Sequence, residues 1–198
     1  MIRTAIKVFV FSIVSLPLTV LAQDIAAPPA GSPGCGNDAA KFGVKTDKGQ
    51  QPTRPETGNA LVYFIEDDSK FQSLPKPTTK AGVDGNWVGA THGDSYLFFS
   101  VDPGVHHLCA SWQSSGSSPV AGALFGLGMG QVGVGQRGKV AASSFTAEAG
   151  GVYYFAVRNI FFQTEQSTVT DMTLTRLDND EGQLLANKFA HSVSHQKK

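Results

Sequence analysis

The chain has 198 residues, with 16 basic and 16 acidic side chains and a formal net charge of +0. Recognition of nucleic acid needs a clustered basic face, so a balanced chain argues against that class of partner, and Lys197-Lys198 is too short a run to supply one. The sequence has two cysteines, Cys35 and Cys109.

The first segment reads as an export signal. Arg3 and Lys7 form a positive start, Val8 to Leu21 an apolar run broken at Pro17, and Val20-Leu21-Ala22 the short residues that a signal peptidase reads, predicting cleavage before Gln23. The run falls short of the roughly 20 residues needed to span a bilayer, so no transmembrane span is expected after cleavage. A lipid anchor would need a cysteine directly after the run, and Cys35 lies well beyond it. Removal of residues 1–22 takes away Arg3 and Lys7 and no acidic residue, leaving 14 basic against 16 acidic side chains. The expected location is periplasmic or secreted. In an oxidising compartment Cys35 and Cys109 are expected to pair, closing a long loop that the chain-entropy model values at roughly 4 kcal/mol.

Residues 23–58 are expected to form a flexible N-terminal arm. Its first part, QDIAAPPAGSPG, has too little apolar surface to order itself. The domain is expected over 59–190. Ala60 to Ile65 is apolar on both strand faces and belongs inside a sheet. Thr79 to Val83 and Asn86 to Thr91 flank Asp84-Gly85, a tight-turn signal. Tyr96 to Val101 and Val105 to Trp112 flank Asp102-Pro103-Gly104 and are expected to pair as a hairpin.

Residues 113–138 are rich in glycine and read as an insertion between strands. Gly122, Gly126 and Gly130 recur every four residues, with Leu124, Phe125, Leu127 and Met129 among them, which marks a candidate interaction loop. Lys139 to Ala147, Val152 to Phe162 and Ser167 to Leu177 complete the strands. A short helix is expected over about 180–190, capped by Asp180 with Gln183 three residues on, and carrying Leu184, Leu185, Lys188 and Phe189. Residues 191–198 read as a tail. The fold class is all-β: a mostly antiparallel β-sandwich with one short C-terminal helix.

The blocks ALVYFIED, VDGNWVGATHGDSYLFFSVDPGVHHLCASW, FTAEAGGVYYFAVRN and LDNDEGQLL resemble a family of exported bacterial envelope proteins whose domain has no assigned function. The resemblance covers roughly residues 58–189. It implies a β-sandwich similar to transthyretin-like and carboxypeptidase-regulatory-like modules, and it implies no activity. This chain departs from members that carry a lipid-anchoring cysteine.

Chemistry-bearing residues are sparse. His106 and His107 are adjacent on a strand, point to opposite faces and cannot ligate one metal together. His191 and His195 have i, i+4 spacing in the expected tail. No serine sits in a Gly-x-Ser-x-Gly elbow. The acidic clusters at Asp67-Asp68 and Asp178-Asp180-Glu181 read as a turn and a helix start. The glycines 128, 130 and 133 lack the strand and helix that a phosphate loop requires. Trp87 and Trp112 are candidate contacts for a small ligand or glycan, against packing of their rings. Arg158 is a candidate carboxylate contact, against a local ion pair with Glu148 or Glu165. The expectation is a non-catalytic module that uses no cofactor and no metal and binds a protein partner or contributes to the envelope. A ligand- or glycan-binding domain is the alternative, and a hydrolase is less favoured.

Overall fold

The structure, a computed structural model, describes residues 35–48, 52, 54–113 and 140–198. The predicted signal segment 1–22 and the residues Leu124, Phe125, Leu127 and Met129 of the predicted interaction loop lie outside the described residues. Two sheets pack face to face, as the alternation of the strands predicts.

The six-stranded sheet runs in the order β1 (Phe42–Asp47), β10 (Ala190–Gln196), β5 (Ser95–Val101), β2 (Ala60–Asp67), β8 (Val152–Gln163), β9 (Thr168–Leu177). The four-stranded sheet runs β4 (Asn86–His92), β3 (Thr78–Val83), β6 (Gly104–Trp112), β7 (Val140–Ala147). Among the described strands, the β10–β5 and β2–β8 ladders are parallel and the others antiparallel. Strands β2 and β8, apolar on both faces, lie side by side inside the larger sheet. Their inward residues Val62, Phe64, Phe155 and Val157 meet Ala81, Leu108, Ala110 and Phe145 of the smaller sheet. Their outward residues Leu61, Tyr63, Ile65, Tyr154 and Ala156 form a second apolar layer. A helix, α1 (Asn179–Lys188), covers that layer with Leu185 and Ala186, and Phe189 follows at its end.

Several expectations change. The arm over 23–58 contains a strand: Phe42 to Asp47 pairs with β10 along its whole length. The tail is that partner strand, so residues 191–196 belong to the sheet, and His191 and His195 have strand rather than helical geometry. Strands β5 and β6 do not pair with each other. The Asp102-Pro103-Gly104 turn carries the chain from one sheet to the other, and β6 pairs with β3 and β7. The β3–β4 hairpin forms as expected, with Asp84 (φ 49°) and Gly85 (φ 82°) both left-handed, the requirement of a two-residue type I′ turn. The helix cap is Asp178 rather than Asp180. Its carboxylate accepts from the Glu181 amide at 2.8 Å, and Glu181 stands three residues on. Leu184 is exposed, so the packed face is the one carrying Gly182, Leu185, Ala186 and Phe189.

The Cys35–Cys109 disulfide forms as predicted, with a Cα–Cα separation of 5.8 Å across 74 residues of sequence. It pins residues 35–40 against the outer face of the smaller sheet. No helix among the described residues is long and apolar enough to cross a membrane.

Candidate functional site

Apolar alternation on the inward faces stops abruptly at one end of the sandwich. On β2 the inward series Val62, Phe64 continues as Glu66, and Asp68 follows just past the strand; on β8 the series Phe155, Val157 continues as Asn159. The smaller sheet adds Thr79 from β3 and Thr91 from β4. All five side chains are fully buried. Period-two alternation puts them in the interior, and burial of polar groups is tolerable only where they bond to one another.

Asn159 is the hub. Its Nδ2 donates to Glu66 Oε1 and to Asp68 Oδ1, each at 2.7 Å, and lies 3.1 Å from Thr79 Oγ1. Its Oδ1 accepts the indole N–H of Trp112 at 2.7 Å. The Thr79 hydroxyl donates to Glu66 Oε1. The remaining oxygens, Glu66 Oε2 and Asp68 Oδ2, are buried and meet no partner. Burial and the Asp68 charge hold the Glu66 carboxyl well above the usual range, against hydrogen bonds from Thr79 and Asn159 that lower it. Burial pushes Asp68 to about 6; Asn159 and the charge of Lys76 pull it down, and the charges of Asp94 and Asp67 push it up. Low polarity disfavours a second negative charge in such a pair.

In the sequence Asp67-Asp68 reads as a turn, and neither Glu66 nor Asn159 stands out. The available signal was a polar residue at the inward position of a strand otherwise apolar on both faces. Asp67 points the other way. Burial raises its carboxyl, but bonds from Ser69 and the charge of Arg158 outweigh this and leave it below the usual range.

The singled-out residues do not converge. Trp112 pairs with Thr79 of β3 and Trp87 with Gly82, three positions apart, so the two indoles fall on opposite faces of one sheet and share no platform. Trp112 packs inward, edge-on to Phe71. Trp87 lies outward under the disulfide-pinned segment: its Nε1 donates to Asn37 O at 2.9 Å, and the Lys80 ammonium sits 4.2 Å from its ring. Lys80 is buried, lies near the carbonyls of Asp38 and Ala40, and its burial lowers its pKa against the charge of Asp38. Arg158 bonds Asp67, Thr175 and Glu181, not Glu148 or Glu165, and so ties α1 to the sheet.

His106 bridges two turns. Nδ1 faces Asp84 Oδ2 at 2.6 Å and Nε2 faces the Asp102 carbonyl at 2.7 Å, while Asp84 Oδ1 accepts the His107 amide. Both ring nitrogens meet acceptors, the arrangement of an imidazolium. Burial lowers its pKa, but these bonds raise it further, to a net value above the ordinary one. His191 lies on Phe98 and faces Asp47 at 3.0 Å, at the edge of a shallow groove of about 310 Å³ lined also by Lys48, Tyr96 and Lys188. Among the described residues no group of three His, Cys, Asp or Glu is placed to hold a metal. Compared with known proteins, the chain matches no family model, no curated protein and no solved structure. The resemblance to exported envelope proteins therefore rests on its sequence blocks alone.

Proposed function

We propose that this protein is an exported, non-catalytic β-sandwich module of the bacterial cell envelope that binds a protein partner. The observation that supports this most is the Cys35–Cys109 cross-link. A structural disulfide suits an oxidising compartment, and here it fastens the segment that covers Lys80 and Trp87. The buried polar residues also fit a scaffold role. Glu66, Asp68 and Asn159 have no access to solvent, whereas a catalytic constellation needs a place for the reacting atom beside its side chains. Surface contact falls to exposed apolar residues such as Leu74, on the loop between β2 and β3, and Val140, at the start of the edge strand β7.

The test is fractionation of cells producing the full chain, with thiols trapped at lysis and the product weighed by mass spectrometry. Recovery from the envelope or medium, lacking residues 1–22 and with both thiols blocked from alkylation, is expected. A photo-crosslinker at Leu74 should then give one discrete adduct with an envelope protein. Cytoplasmic recovery with two free thiols overturns the export reading, and absence of any adduct from Leu74 and Val140 overturns the binding reading.

A further inference from the structure

The geometry points to a proton-held latch: we propose that Glu66 and Asp68 share one proton at neutral pH, and that its loss frees the loop between β2 and β3 from the end of the sandwich. Both carboxyl groups converge on a single amide nitrogen, Asn159 Nδ2, so the two accepting oxygens cannot be far apart. Each group keeps one buried oxygen without a partner. A proton held by the pair supplies a donor where the buried oxygens have none and removes one of two like charges.

The surroundings do not neutralise a second charge. Thr79 from β3, Thr91 from β4, Asn159 from β8 and Trp112 from β6 are all uncharged. From the β4–β5 turn, Asp94 adds negative charge and accepts the Asp68 amide at 2.9 Å. From the loop itself, Lys76 lends positive charge, but its ammonium donates to the main-chain oxygens of Asp68 and Phe71 rather than to either carboxyl group. Asp67 faces away, paired with Arg158.

The two members differ in freedom to move. Glu66 is clamped in the middle of the sheet, opposite Ser95 on β5 and Val157 on β8. Asp68 is past the end of β2 and opens the loop. Relief of like-charge repulsion therefore falls to Asp68. Its outward swing carries the carbonyl that accepts from the Phe71 amide and from Lys76. Next to it, the Gln72 amide donates to Phe161 O and the Phe161 amide to Lys70 O, while the Phe71 ring packs against Trp112 and Phe161. Those contacts form the latch, and their loss uncovers Phe71 near the exposed Leu74.

The test is hydrogen exchange of the Phe71 and Gln72 amides in the full chain from pH 6 to pH 9, referred to intrinsic rates, with Phe64 as the core control. Protection of the two loop amides should fall by roughly tenfold relative to Phe64 as pH rises. Glu66→Gln, which removes one charge and supplies a donor, should abolish that change; if it does not fold, Asp68→Asn serves the same purpose. Infrared spectra of the wild type at pH 7 should also contain a buried protonated carboxyl band that Glu66→Gln removes. Unchanged loop protection across the range overturns the latch. So does protection at pH 9 restored by calcium chloride in the wild type but not in Glu66→Gln, which would make the pair a cation site.

Discussion

Trp112 and Asn159 join the two sheets through one 2.7 Å hydrogen bond from the indole N–H to the amide oxygen. The same amide's nitrogen holds Glu66 and Asp68. Asn159 thus uses an acceptor toward the smaller sheet and donors toward the larger one. Asp at this position would supply no donor and would add a third carboxyl group; Leu would fill the space and satisfy nothing.

Asn159→Leu is accordingly expected to destabilise the fold by about 3 kcal/mol or more, since it strands the Trp112 N–H and removes the donor shared by two buried carboxyl groups. Asn159→Asp should cost at least as much at pH 8. Urea unfolding of both variants checks this. A loss below about 1 kcal/mol for Asn159→Leu, the worth of one ordinary hydrogen bond, would mean that the hub does not organise the cluster.

Much of this architecture is legible in the sequence, because β2 and β8 carry apolar residues on both faces and so declare themselves central strands. The Asp84-Gly85 turn is equally clear. The β5–β6 turn misleads because Pro and Gly specify a reversal but not whether the next strand pairs back or crosses to the other sheet. Strands β1 (FGVKTD) and β10 (AHSVSHQ) escape because most of their residues are polar or exposed; each is defined by its partner. The buried cluster is legible only after registers are known, when Glu66 and Asn159 fall into line with Phe64 and Val157.

Stability is expected to fall as pH rises from about 4 to 8. The raised carboxyl of Asp68 contributes stability fully below its ordinary value of 3.8 and loses it as pH passes about 6. Glu66, raised well above 4.5, extends the loss to higher pH. His106, raised above 6.5 by Asp84 and the Asp102 carbonyl against burial, contributes below 6.5 and loses its share as pH passes its folded value. Asp67 and Asp84 are lowered, so their contributions vanish only as pH falls below 3.8 through their folded values. Thermal melts should show a maximum near pH 4 to 5, with a shallower alkaline decline in Glu66→Gln and in His106→Gln. A flat profile between pH 5 and 8 in the wild type would refute the assignment.

Cys35→Ser and Cys109→Ser should each cost roughly 4 kcal/mol, and the double variant no more than either alone, because all three lose the same cross-link. Release of Cys35 also loosens the segment whose Asn37 carbonyl accepts from the Trp87 indole, so Trp87 emission should shift to the red in each variant. Additive losses would show that the two sulfur atoms act separately.

Gly182 explains how α1 sits so close to the sheet. In a helix interior Ala is favoured over Gly by about 1 kcal/mol, so propensity alone predicts that Gly182→Ala stabilises. A Cβ at this position would, however, lie well inside contact distance of Cβ and Cγ of Tyr154. Those atoms are anchored to β8, and the ring stacks on Tyr63 at 4.9 Å, so neither can yield without moving the apolar layer. Overpacking of that kind costs about 1–3 kcal/mol and should outweigh the propensity gain. Lifting the helix would also weaken the Arg158–Glu181 pair, which spans α1 and β8 at 3.0 Å. Gly182→Ala is therefore expected to lower the unfolding midpoint, whereas Leu184→Ala, at an exposed position of the same helix, should leave it nearly unchanged. Chemical denaturation of the pair separates the effects: a stabilised Gly182→Ala would mean that α1 is free to ride outward and does not lock the outer layer.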